Sequence, residues 1–180
     1  LKQDVDTWNK WRHENWQVIP DLSGADLYET NLGMADLRNA NLSKANLGKA
    51  NLSEANLREA NLSGAKLREA YLFSAGLNLV NLQEADLYLA DFGNADLWEA
   101  DLSGTNLSMT SFVLANLSGS ILKSAAVESI DIGDTILTDI DLSPFVNTLV
   151  SHHGPSTVDH RSIANSLHCT NLLPFLVDTG

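Results

Sequence analysis

The chain has few of the residues that would indicate secretion, a membrane span or disulfide crosslinks. It contains one cysteine, Cys169, in 180 residues, so no disulfide can form within the chain, which is typical of a reducing compartment. No run of eighteen apolar residues is present, and residues 1–20 lack the apolar run of a signal peptide. We therefore expect a cytoplasmic protein that does not span or bind a membrane.

Basic residues are also scarce, and they are unevenly distributed. Eleven lysines and arginines stand against 23 acidic residues, which gives a net charge of −12. Residues 21–70 are nearly balanced, whereas residues 81–142 carry eleven acids and only one base, Lys123. A protein that grips nucleic-acid phosphates needs a basic stripe, so direct binding to nucleic acid is disfavoured.

The chain does have a period of five residues. From Leu22 to Leu142 a bulky apolar residue recurs at every fifth position, and a small residue, usually Ala, stands two positions before it. Asp or Asn occupies the position between them in eighteen of the twenty-five repeats. A helical period would spread the leucines around a helix, and a strand period would alternate their faces. Each five is therefore one side of a coil, with two residues inward and three outward.

A weaker period of twenty residues indicates four fives in each coil. Ser23, Ser43, Ser63 and Ser103 follow it. Coils paired through their backbones would stack about 4.8 Å apart, so six of them predict a stiff rod on the order of 30 Å long.

The run Ala25-Asp26-Leu27-Tyr28-Glu29 and its repeats resemble the pentapeptide-repeat proteins. This resemblance implies an all-β fold, a right-handed quadrilateral parallel β-helix, which we place at residues 20–143. Family membership does not settle function, because one fold can serve many roles.

The two ends do not repeat. Residues 1–19 carry Leu1, Val5, Trp8, Trp11 and Trp16 at near-helical spacing, which predicts an amphipathic helix before Pro20. We expect it to cap the open end of the first coil, and the alternative is a partner-binding helix.

Residues 144–180 are expected to form a C-terminal cap or linker, partly helical and partly irregular. A short helix with Ser156 as its N-cap is predicted there. This tail holds a group of potential metal ligands, His152, His153, His160, His168 and Cys169. Their spacing matches no zinc motif well, so we expect no metal and no cofactor.

The flanks also resemble segments beside pentapeptide arrays in bacterial multidomain proteins. The segments concerned are Val5 to Arg12, Gly154 to Ser162 and Leu173 to Leu176. That resemblance implies an effector beyond Gly180, such as a Toll/interleukin-receptor-like domain. No effector activity follows for the residues present.

The acidic residues of the later repeats predict an acidic face, formed by Glu84, Asp86, Asp91, Asp96, Glu99 and Asp101. One interpretation is a solvated surface that keeps the rod soluble. The other follows from the resemblance, since some pentapeptide-repeat proteins are similar to a DNA duplex and bind type II topoisomerases such as gyrase.

Outward positions of the middle repeats also carry apolar residues, namely Tyr71, Phe73, Leu79, Tyr88, Leu89, Trp98, Met109, Val113 and Leu114. We predict a protein interface or self-association here, anchored by Trp98. The period of twenty groups Tyr71 and Phe73 with Val113 and Leu114, and places Tyr88, Leu89 and Met109 on another side. The alternative is that the N-terminal helix or the tail buries these side chains.

An enzyme is the least favoured class. Catalysis and small-molecule binding need a concave site, whereas a filled β-helix has none. The sequence therefore predicts a non-enzymatic scaffold or interaction module, with no small-molecule substrate.

Overall fold

The computed structural model describes residues 4–145, 149–151 and 156–158. One helix, α1, spans Val5–Glu14, and five short strands follow. They are β1 (Thr110–Ser111), β2 (Ser129–Asp131), β3 (Ile136–Leu137), β4 (Leu149–Ser151) and β5 (Thr157–Val158), with a 3₁₀ turn at Ser143–Phe145 between β3 and β4. The strands form two parallel sheets with the orders β1-β2-β4 and β3-β5. Most of the chain is instead a coil joined by single parallel bridges.

The bridges confirm that one coil takes twenty residues. Asp21 pairs with Asn41, Asp26 with Asn46, and every later bridge outside the named strands keeps this offset. We number the coils from residue 21, so that coil 1 is 21–40 and coil 4 is 81–100. Sides 1 to 4 are the ladders that begin at Asp21, Asp26, Asn31 and Asp36. Each side is held by regular backbone bonds, such as Leu72 N–H to Asp91 O at 2.7 Å.

A tight turn joins each side to the next. Its four residues run from the bulky residue to the next small one, as in the 3.0 Å bond from Ala75 N–H to Leu72 O. The third residue of the turn has a positive φ at nineteen non-glycine positions, from Glu29 to Asp139, and at four glycines. None of the nineteen is β-branched, because a branched side chain is strained in that region.

The Asp or Asn before each bulky residue prepares this turn. In all eighteen cases the side-chain oxygen accepts a hydrogen bond from the backbone N–H two residues further on. Short polar side chains of this kind satisfy a turn N–H that the ladder leaves free. The repeat therefore uses Asp and Asn for the same structural purpose.

The fives end where proline prevents the turn. Pro144 occupies the position that needs a positive φ, but its ring fixes φ near −65°. Ser143–Phe145 forms a 3₁₀ turn there instead. Parallel pairing nevertheless continues beyond residue 143, because Ser129 of β2 pairs with Leu149 of β4 and Ile136 of β3 pairs with Thr157 of β5.

The prediction of a helix beginning at Ser156 is wrong for the described residues. Thr157–Val158 is a strand, and Thr157 N–H donates to Thr135 O at 2.9 Å. The Ser156 hydroxyl donates to Ile132 O, so it does not accept a bond from a helical N–H as an N-cap would. As a strand, Thr157–Val158 pairs with the backbone of the preceding coil, and a helix at this position would lose that pairing. The rest of the predicted helix, the four tail histidines and Cys169 lie outside the described residues.

The interior contains the bulky and small residues, as the five-residue period predicts. The bulky residues from Leu32 to Leu142 and the alanines two positions before them are almost fully buried, apart from Val127 and Ala125, which are partly buried. Phe92 stacks on Phe112 with ring centroids 5.2 Å apart. Burying each leucine contributes about 2 kcal/mol. Hydroxyls enter this core only where a carbonyl accepts them, as Phe112 O does from Thr135 at 2.7 Å. Ser120 is the exception, since its buried hydroxyl has no partner in the described part of the chain.

Helix α1 lies across the end of coil 1. It begins after Asp4, whose carboxylate accepts from Asp6 N–H at 3.0 Å. Trp8 Nε1 donates to Asp36 O at 2.9 Å, and Asn9 both accepts from Asp36 N–H and donates to Met34 O. The bonds to Asp36 occupy backbone groups of side 4 that a preceding coil would otherwise pair.

The helix is shorter than predicted, and its buried residues differ from the expected set. It ends at Glu14, so Trp16 lies outside it and is 70% exposed. Arg12 is buried, because its guanidinium donates to Val18 O and Arg38 O. Val5 and Trp8 pack against the core.

We expect Ser120→Ala to raise the free energy of unfolding by about 1 kcal/mol, because it removes a buried hydroxyl without a partner. Sixteen other repeats already use Ala at this position. Chemical denaturation measures the effect. Thr105→Ala is the control and should be destabilising, since the Thr105 hydroxyl donates to Leu102 O at 2.6 Å. Destabilisation by Ser120→Ala would show that the Ser120 hydroxyl has a partner in solution.

Candidate interaction surface

Three residues of each five point outward, and they form rows along the rod. The Asp or Asn position and the position two residues later share a side, as the bonds from Arg38 to Asp36 and from Asn78 to Asp96 show. The positive-φ residue that follows stands at the corner between two sides. Residues on one row are twenty apart, so neighbours lie one coil spacing, about 4.8 Å, from each other.

The nine candidate interface residues do not form one surface. Tyr71, Phe73 and Val113 lie on side 3, and Leu114 stands at the corner between sides 3 and 4. Leu89 and Met109 stand at the other corner of side 3. This grouping agrees with the one expected from the period of twenty. The two groups flank the same side, so together they form a continuous side 3 patch: Tyr71, Phe73, Leu89, Met109, Val113 and Leu114.

The remaining three candidates lie on sides 2 and 4, which adjoin side 3, and Tyr88 touches the patch. Tyr88 is on side 2, where the Arg68 guanidinium lies 4.4 Å from the centre of its ring, and its hydroxyl contacts Met109 Sδ at 3.4 Å. Trp98 is on side 4, next to Leu79 at the following corner, and Leu79 N–H bonds to Trp98 O. Trp98 therefore lies on the side that adjoins the side 3 patch and not on the patch itself, so the predicted anchor and the patch occupy different sides of the rod.

The side 3 patch is open to solvent among the described residues. Tyr71 and Leu114 are each 55% exposed, and Phe73 and Met109 are each 50% exposed. Helix α1 contacts coil 1 on side 4, through residues 34–38, and does not bury the patch. Burial by α1 is thus ruled out, whereas residues 159–180 of the tail lie outside the described residues.

The acidic residues likewise do not share one face. Asp86, Asp91, Asp96 and Asp101 belong to sides 2, 3, 4 and 1 in turn, because each five turns one corner. Glu84 and Glu99 stand at two of the corners. The predicted acidic face is therefore a ring of carboxylates around one circuit of the rod.

Three of the four aspartates in this ring are paired by side chains. Asp86 accepts from Arg68 at 3.1 Å and from Asn106 at 3.2 Å. Asp96 accepts from Asn78 and Asn116. Asp101 accepts from Gln83 at 2.6 Å.

Asp91 differs from the other three. Its carboxylate accepts only the Gly93 N–H, at 2.9 Å, in the described part of the chain. Its row neighbours are Tyr71 and Ser111. Asp91 therefore places an unpaired negative charge at the centre of the side 3 patch.

Gly93 is buried beside this carboxylate under the Phe73 ring, a contact that was not among the sequence predictions. A Cβ built on Gly93 would lie 3.1 Å from Asp91 Oδ1 and 3.1 Å from Phe73 Cδ2. The ring and the carboxylate thus both pack over Gly93, which has no side chain to displace them. The period of twenty, which aligns Gly93 between Phe73 and Val113, is the signal that could have identified it.

The described residues offer little for catalysis. No group of three or more His, Cys, Asp or Glu side chains among them could hold a metal ion. A shallow depression at Glu14–Val18 contains a single titratable side chain, Glu14. No helix of the described chain is long and apolar enough to cross a bilayer.

The family model of pentapeptide repeats matches eight copies, over segments that run from residue 21 to residue 123. The chain belongs to the pentapeptide-repeat family. Solved members of this family form right-handed β-helices and are structural or interaction modules rather than known enzymes. No curated protein matches the chain significantly.

Several solved structures are similar to this chain. HetL, involved in heterocyst differentiation regulation in the cyanobacterium Nostoc sp. strain PCC 7120, is 35% identical, with a TM-score of 0.39. The match covers 73% of this chain and 62% of HetL, so the chain spans less than two thirds of that protein. Rfr23 from the cyanobacterium Cyanothece 51142 is 28% identical over 81% of this chain and 99% of its own, with a TM-score of 0.41.

QnrB1, a plasmid-mediated fluoroquinolone resistance protein, has the higher structural similarity. Its TM-score is 0.53 at 20% identity, over 82% of this chain and 83% of QnrB1. At that identity the likeness supports the fold alone.

Acid is expected to destabilise the rod through its hydrogen-bonded aspartates. Hydrogen bonds from the Arg38 guanidinium hold the pKa of Asp36 below its ordinary value, and burial only partly opposes them. Burial alone would raise the pKa of Asp101, but the hydrogen bonds from Ser103 and Gln83 together lower it by more, so the pKa lies below its ordinary value. A lowered folded-state pKa gives stability that is present above the unfolded value and lost as the pH falls through the folded value.

We therefore expect the free energy of unfolding to fall below about pH 4, with a shallower fall in Asp36→Asn. Asparagine keeps the turn bond, as Asn56 does one coil later, but it cannot be protonated in this range. Denaturant titrations at a series of pH values measure both slopes. Parallel curves for the two proteins would contradict this assignment.

Proposed function

We propose that this chain is a non-enzymatic, rigid scaffold that binds a protein partner through the side 3 patch. The observation that carries the proposal is a contiguous set of apolar side chains, exposed on a wall whose backbone is fully laddered. Interfaces are enriched in Tyr, Phe and Met relative to other surface. Isolated exposed apolar residues mean little, but six on one side over three coils indicate an interface.

Rigidity supports a scaffolding role. Side 3 is fixed by bonds to the coils on both sides, for example Asp91 N–H to Ala70 O at 2.9 Å and Phe92 N–H to Ser111 O at 2.8 Å. A binding surface held in this way loses little conformational entropy when a partner docks.

In this proposal α1 acts as an end cap. An uncovered coil presents unpaired backbone groups and core side chains, which invite aggregation. Trp8, Asn9 and Arg12 bond to the exposed edge of side 4, and Val5 and Trp8 cover the core. The cytoplasmic location and an effector domain following the rod stay predictions from the sequence.

An acidic mimic of nucleic acid that binds a type II topoisomerase is our second candidate. It is favoured by the ring of carboxylates from Asp86 to Asp101, because charge on all sides of a cylinder resembles a duplex more than a flat patch does. The balanced charge of residues 21–70 and the pairing of Asp86 with Arg68 favour the scaffold instead.

Site-specific photo-crosslinking tests the proposal. We expect a benzophenone side chain at Phe73 of the full chain to give a discrete protein adduct in its native cells. The same group at Ser63, on side 1 of the same coil, should give none. A second substitution, Tyr71→Asn, should reduce the adduct severalfold, because Asn occupies this row in coil 2 without disturbing the fold. Equal crosslinking from both positions, or none from Phe73, would contradict the proposal.

A further inference from the structure

We propose that the side 3 patch selects a protein segment that carries one cationic side chain, preferably arginine, flanked by apolar residues. Asp91 would receive the cation. This inference rests on the proposed function and names the chemistry of the partner.

The choice of a cation follows from the contrast between Asp91 and the other ring aspartates. Asp86, Asp96 and Asp101 are each bonded by an arginine or amide side chain of this protein. The Asp91 carboxylate has the Gly93 N–H alone within the described residues. One carboxylate oxygen therefore remains available to a partner.

The surroundings of Asp91 strengthen this preference. Tyr71 lies one coil below it on the same row, and the Phe73 ring packs over Gly93 beside its carboxylate. Leu89 precedes it in coil 4, while Met109 and Val113 lie one coil above. A docked apolar segment would exclude water from these side chains and from the Asp91 carboxylate between them. A buried carboxylate without a cation is unfavourable. Arginine suits the site because its planar guanidinium can bond a carboxylate and stack on an aromatic ring.

A second copy of this chain fits the patch poorly. Asp91 lies in coil 4, midway between Phe73 in coil 3 and Val113 in coil 5. Any two-fold axis through the centre of the patch would set Asp91 of one copy against Asp91 of the other. Like charges opposed in this way are unfavourable, so charge complementarity favours a different, cationic partner.

The test uses a short peptide with one arginine between two pairs of apolar residues, and its neutral citrulline analogue. Binding to the full chain is followed by NMR titration of the backbone amides. We expect the arginine peptide to bind about tenfold more tightly than the analogue, with the largest shifts at Leu89, Asp91 and Gly93.

Asp91→Asn should remove that difference and leave the fold intact, because Asn31 and Asn51 occupy the same row. Asp96→Asn on side 4 makes the same change in net charge and should retain the difference. Gly93→Ala should weaken both peptides severalfold, since a Cβ there meets the Phe73 ring.

The outcomes separate this inference from the proposed function. Equal binding of both peptides, lost in Phe73→Ser, would keep the apolar docking surface and overturn the cationic preference. No binding of either peptide would overturn the inference, while the crosslinking result judges the surface independently. Dimerisation of Asp91→Asn in sedimentation, with no peptide preference in the unsubstituted chain, would identify a second copy as the occupant.

Discussion

The whole structure depends on a turn that must be made every five residues. Four turns close each coil, and 23 of the turns place their third residue at a positive φ, at 53° to 69°, with Ser129 and Pro144 as the exceptions. That conformation is unfavourable for most residues. Its cost is offset by the turn bond to Asp or Asn, the ladder to the next coil and the burial of a leucine. The repeat therefore depends on all three features together.

This constraint also separates structure from function along the sequence. The inward pair is committed to the fold and the turn-forming position favours Asp or Asn, so variation is greatest at the remaining outward positions. Tyr71 and Gly76 show that even the Asp or Asn position can vary when the coil is otherwise regular. In the proposed function, partner recognition comes from rows of side chains on flat walls, where the neighbour of each residue is twenty positions away.

Much of the fold follows from the sequence, because its causes are local and periodic. The spacing of Leu22 to Leu142 predicts the core, and the serines at 23, 43 and 63 predict the coil. The absence of β-branched residues at the nineteen positive-φ positions is a further signal in the sequence, since it indicates a positive φ there. The positive φ at this turn position also explains why Pro144 ends the repeats, because proline cannot adopt it.

The candidate site was predicted less well, and the errors have physical reasons. Asp86, Asp91 and Asp96 recur at a regular spacing in the sequence, which suggests a single face, yet each lies on the next side of the rod. Trp98 was separated from Phe73 by the same rule. The burial of Arg12 and the strand at Thr157 depend on carbonyl and N–H groups that other coils supply, and no local pattern reports such tertiary partners.

The most direct test of the turn constraint compares two neighbouring substitutions in one corner. Glu59 has φ 58°, whereas Arg58 precedes it in the turn, and their side chains form an ion pair with each other at 3.1 Å. Glu59→Val and Arg58→Val both remove that pair, but only the first puts a β-branched residue at a positive φ. In chemical denaturation we predict a loss of about 1–3 kcal/mol in the free energy of unfolding for Glu59→Val and a change within about 0.5 kcal/mol for Arg58→Val. Equal stability of the two variants would contradict the account.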